Sequence, residues 1–113
     1  MLHTSLLKDI QFHDDNPAVQ LLLDTDFTKE IRIAFRPDQL MKEHQTPFPI
    51  VVEVVRGSIQ FGVNGQHYDL EAGALLSLAG GVPHDLRAKE ESIVRLTLSK
   101  SDRANRVAGV AEQ

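Results

Sequence analysis

Cysteine is absent from the chain, which rules out disulfides, thiolate metal sites and a cysteine nucleophile together. Tryptophan is also absent and tyrosine occurs once, so there is no aromatic platform on which bases would stack. Apolar runs stop at three or four residues and no basic-then-apolar leader pattern opens the chain. Neither a membrane-spanning helix nor a signal peptide is expected. An excess of basic residues is missing too: 12 Lys and Arg, scattered along the chain, stand against 16 Asp and Glu, for a formal charge of −4. Without a basic stripe, nucleic acid is not an expected partner. What remains is a soluble, cytoplasmic protein whose partner is a small molecule or a second copy of itself.

A chain of 113 residues supports one hydrophobic core. Helical periodicity is weak, whereas short β-rich segments recur between turn signals, the spacing of an all-β sandwich or barrel. Strands are expected at Leu6–Phe12, Ala18–Leu23, Thr28–Arg36, Ile50–Arg56, Ser58–Val63, Gln66–Leu70, Leu75–Leu78, His84–Ala88 and Ile93–Ser99. The domain is expected to span residues 1–100, N-terminal arm included, with 101–113 a short helical or disordered tail.

Asn64-Gly65 is the strongest local signal, because two residues that tolerate positive φ suit a type I′ hairpin turn. That turn sets Val63 opposite Gln66, Gly62 opposite His67, Phe61 opposite Tyr68 and Ile59 opposite Leu70. Ile59, Phe61, Val63, Tyr68 and Leu70 then form the side expected to be buried, and His67 points to solvent. Ile50–Val55 is apolar on both faces except at Glu53. Such a strand is central in its sheet or has one face covered by another subunit, and a homodimer is expected on this ground.

Two segments carry histidines among Gly/Pro punctuation: His44-Gln45-Thr46-Pro47-Phe48-Pro49-Ile50, closed by Arg56-Gly57, and Gly73 through Gly80-Gly81-Val82-Pro83 to His84. Their spacing resembles the two motifs of the cupins, small double-stranded β-helix (jelly-roll) barrels. The first motif reads Gly-x5-His-x-His-x(3–4)-Glu-x6-Gly. His44 and Gly57 match it; Thr46 stands at the second histidine, Ile50 at the glutamate and Asp38 at the opening glycine. The second reads Gly-x5-Pro-x-Gly-x2-His-x3-Asn. Gly73, Gly81 and His84 match it, with Ala79 and Ala88 in place of the proline and asparagine. The resemblance covers residues 31–98 and implies an all-β jelly-roll cupin barrel.

In cupins the three histidines and the glutamate bind a divalent metal, so the resemblance implies zinc, nickel, iron or manganese, with His44 and His84 the ligands that persist. Strand alternation independently groups His44 with Thr46 and Phe48, and His84 with Leu86 and Ala88, facing a pocket. Its expected lining is His44, Thr46, Phe48, Ile50, His84 and Leu86. Two imidazoles alone fall short of the two-histidine, one-carboxylate iron site and of the three or four ligands of zinc. Glu53 lies on the opposite strand face and is expected at the surface or an interface, and His3 and His13 are expected to be solvated in the arm. Gly80-Gly81 lacks the spacing and following helix of a phosphate loop, and no serine sits in a nucleophile elbow. The first expectation is a small-molecule-binding module whose two histidines orient a ligand's polar end. The alternative is a metal-dependent, dioxygenase- or isomerase-like enzyme in which substrate or water completes the metal shell.

Overall fold

The computed structural model describes residues 1–100, so the expectation for the tail lies outside the described residues. Nine strands follow one another: β1 (Ala18–Asp24), β2 (Thr28–Phe35), β3 (Leu40–His44), β4 (Ile50–Arg56), β5 (Ser58–Val63), β6 (Gln66–Glu71), β7 (Leu75–Leu78), β8 (His84–Ala88) and β9 (Ser92–Ser99). They form two antiparallel sheets, ordered β1-β2-β9-β4-β7 and β3-β8-β5-β6, the expected all-β jelly roll. No helix among the described residues is long and apolar enough to cross a membrane.

Alternation explains the layers. Ile33 and Phe35 of β2, Ile50, Val52 and Val54 of β4, and Val94 of β9 face Ile59 and Phe61 of β5 and Leu86 and Ala88 of β8 across one core. Each of the larger side chains there contributes about 1.5–3 kcal/mol by leaving water. The Asn64-Gly65 turn has φ of 53° and 76°, as a type I′ turn requires, and the β5–β6 register is the one it predicts.

Three expectations are corrected. Leu6–Phe12 is not a strand: residues 6–9 are bends and residues 10–12 are irregular. The Arg32 guanidinium takes up the Ser5, Leu6, Lys8 and Asp9 carbonyls, in place of a sheet ladder. Tyr68 shares the inner side with Phe61 but is 48% exposed, because β6 is the edge of its sheet and little of the opposite sheet reaches it. Leu40–His44, not expected as a strand, is β3. Its pairing with β8 is interrupted by a bulge between Met41 and His44, which obscures any period-2 pattern.

The outer face of β4 is covered in part from within the chain. Val55 packs with Ala18, Ala34 and Ile93 beneath Ile10 and Phe12 of the arm. Glu53 accepts a bond from Arg95 (3.3 Å), and Val51 remains 37% exposed.

Candidate functional site

The β3–β8 ladder sets His44 directly opposite His84, and the β5–β8 ladder sets Val63 beside His84 and Phe61 beside Leu86. The bulge before His44 turns this ring to the inner side even though Met41, three residues earlier, also packs on the core. The two imidazole centroids lie 4.4 Å apart at an interplanar angle of 56°. On its other side His84 lies nearly parallel to Phe61, with centroids 5.7 Å apart. His84 is buried and His44 half-buried, so any approach to the pair comes from the His44 side.

The loops before β4 and β8 hold this geometry. Gly81 N–H donates to Thr46 O at 2.7 Å, and Gly80 lies so close to the Pro47 carbonyl that a Cβ there would collide with backbone. The glycine pair therefore locks the two histidine-bearing segments together, which is the loop role expected of it.

Both rings are pinned in the same local way. His44 Nδ1 is 2.8 Å from Lys42 O, and His84 Nδ1 is 2.9 Å from Val82 O. A carbonyl only accepts, so Nδ1 carries the proton on each ring, and in the neutral form each Nε2 presents a lone pair. Neither Nε2 has a hydrogen-bond partner among the described residues. Burial holds the His84 pKa below 6.5, the bond to Val82 O opposes this, and neighbouring His44 adds to the lowering. In its neutral form the pair thus presents two acceptors, with Phe61 and Val63 beside it.

The remaining expected lining residues are spread over a wider area. Leu86 is buried on β8 next to the pair. Thr46 and Phe48 follow the end of β3; the Thr46 hydroxyl donates to Phe48 O at 3.0 Å. Both line a cleft of about 290 Å³ at the rim, with Lys29, Pro47 and Leu98. Ile50 sits in the core of the opposite sheet. Phe61, whose ring flanks His84, belongs with the site and was not singled out by sequence reasoning. The hairpin register placed Phe61 on the buried side, but only the β5–β8 pairing brings it to His84. His67 is exposed on the outer face, and His3 and His13 are exposed in the arm, as expected.

The donor set was tested against a resident divalent metal. Among the described residues no group of three or more His, Asp or Glu side chains converges. Thr46 spends its hydroxyl on a backbone carbonyl, and Ile50 has no donor atom. Two neutral imidazoles leave a doubly charged ion without counter-charge in an apolar setting, so these residues do not fit a protein-held metal centre.

A model of the AraC-like ligand-binding domain family matches residues 27–99. No curated protein matches the chain. Among solved structures, an RmlC-like cupin from Desulfovibrio desulfuricans superposes with a TM-score of 0.81 at 22% identity, covering 88% of this chain and 96% of that one. An RmlC-like cupin from Shewanella frigidimarina gives 0.74 at 22% identity, covering 88% and 91%. A Klebsiella pneumoniae protein with a double-stranded β-helix domain gives 0.76 at 20% identity, covering 85% and 88%. Likeness at these identities is a likeness of fold.

Proposed function

Because the chain belongs to the AraC-like ligand-binding domain family, we propose that it binds an uncharged small molecule whose polar end is held by His44 and His84. The observation that carries this reading is the matched pinning of Nδ1 on both rings, which leaves two Nε2 acceptors side by side. A ligand with two hydrogen-bond donors, such as neighbouring hydroxyls or an amide NH₂, satisfies them. Its apolar part lies against Phe48 and Leu98 at the rim. An anionic ligand is disfavoured because the two Nε2 lone pairs offer it no donor and the Asp85 carboxylate, which acts on His84, would repel it. The histidines act here as acceptors rather than metal ligands. Self-association as a homodimer is part of the same proposal.

Thermal-shift screening of uncharged metabolites in the presence of a chelator tests the site. A hit with a Kd near micromolar, equivalent to about −8 kcal/mol, is expected to lose at least tenfold in affinity in His44→Ala. Binding that requires added metal, or that is unchanged in His44→Ala, overturns the reading.

A further inference from the structure

Arg32 points outward from β2, between the inward-facing Ile31 and Ile33, and is 2% exposed. Its hydrogen-bond acceptors are all neutral. Nη1 bonds the carbonyls of Ser5 (3.2 Å), Leu6 (3.4 Å) and Lys8 (2.9 Å), and Nη2 bonds Asp9 O (3.1 Å) and Gln20 Oε1 (2.7 Å). A buried cation is normally balanced by an anion. Arg95, directly opposite on β9, has two: Glu30 at 3.2 Å and Glu53 at 3.3 Å. Arg32 has none.

The Arg32 Nε–H is its one uncommitted donor among the described residues. Among the described residues no side-chain nitrogen or oxygen sealed from solvent lacks a partner, so this N–H keeps some solvent contact. Arg32 borders a cavity of about 380 Å³ between the arm and the outer sheet face, with Lys8, His3, Thr4, Ser5 and Asp9 around it. The lining thus holds two permanent cations and two hydroxyls against a single carboxylate. The Ser5 hydroxyl accepts the Leu7 N–H at 3.2 Å, which leaves its proton free to donate.

We propose that this cavity binds a small oxyanion, the carboxylate or phosphate group of a metabolite, through Arg32 Nε–H, the Lys8 ammonium and the Thr4 and Ser5 hydroxyls. The bound anion supplies the counter-charge that Arg32 lacks and fastens the arm to the sheet. The site is separate from the histidine pair and does not depend on the function proposed above.

Calorimetric titration of the full chain with inorganic phosphate and, separately, with acetate tests it. Saturable binding of at least one anion at sub-millimolar concentration in low salt is expected, weakened about tenfold in Lys8→Gln by loss of one charge-assisted bond. Preference between the two anions identifies the group recognised. Lys8→Gln keeps the arm clamp, which uses only the Lys8 carbonyl, so its effect does not report unfolding. Arg32→Gln is expected to abolish binding and to make the arm sensitive to protease. His44→Ala is expected to leave anion binding unchanged. No saturation by either anion up to about 10 mM, where affinity is weaker than about −3 kcal/mol, overturns the proposal. So does binding that Lys8→Gln leaves intact or that His44→Ala removes.

Discussion

His84 concentrates the physical tensions of this protein in one side chain. Its ring is buried against Phe61 and His44, and burial favours the neutral form and lowers its pKa from 6.5. The unfolded chain therefore binds a proton more readily than the folded one. Stability from this residue is complete above pH 6.5, declines as pH falls from 6.5 to the lower folded value, and levels off below it. Urea unfolding across pH 7.5 to 5 is expected to show this decline, with a slope no steeper than about 1.4 kcal/mol per pH unit for one proton. His84→Phe, which keeps the stacked ring but cannot titrate, is expected to flatten the profile in that window. An unchanged slope in the variant would assign the effect to another group. The juxtaposition of His84 and His44 was legible because their spacing to Gly81 and Gly57 matches a family pattern. The pinning of both Nδ1 atoms was not, since it depends on the backbone path at Lys42 and Val82.

At the level of elements, the legible parts are those whose turns are chemically explicit. Asn64-Gly65 fixes a hairpin and its register unaided, and β7 and β8 have the bounds their turn signals imply. The arm misled because Leu6, Ile10 and Phe12 are spaced like strand residues, while the partner of the Ser5, Leu6, Lys8 and Asp9 carbonyls is a distant arginine side chain. β3 escaped notice because its bulge breaks the alternation by which a strand is read. The rim residues Thr46 and Phe48 illustrate the same limit: alternation counted from His44 fails once the strand ends there. Contact between the two motif segments can be tested at Gly80. Gly80→Ala places a methyl group against the Pro47 carbonyl, which is backbone and cannot rotate away. A loss of about 1–3 kcal/mol is expected in denaturant unfolding, together with weakened ligand binding as His44 and His84 are spread apart. Ala79→Ser, at the exposed neighbouring position, is expected to change stability by less than about 0.5 kcal/mol. Equal effects of the two substitutions would show that the loop contact does not position the site.

At the scale of the whole molecule, the homodimer proposed above would rest on the outer face of the larger sheet. The two-faced apolar character of β4 announced a cover for that face, yet could not say whether it comes from the same chain or another. Ile10, Phe12 and Val55 pack on one cluster of Ala18, Ala34 and Ile93, a side-chain contact that leaves no periodic trace in the arm. Beyond Val55 the face changes character. Arg95 ties Glu30 to Glu53 across three strands, and past that polar belt Val51 and Leu75 stand 37% and 67% exposed on the edgeward strands β4 and β7. Leu75 lies opposite Glu53 and Val51 opposite Ser77, so the two apolar side chains share one side of the sheet. A second copy related by a two-fold axis would bring the same patch to itself, which is the simplest way for a single chain to cover it. Light scattering at micromolar concentration is expected to give twice the 12.6 kDa of the chain, and Leu75→Lys, which sets like charges face to face across the axis, is expected to return it to the monomer. A monomeric mass for the unaltered chain would mean that the arm is the only cover this face requires.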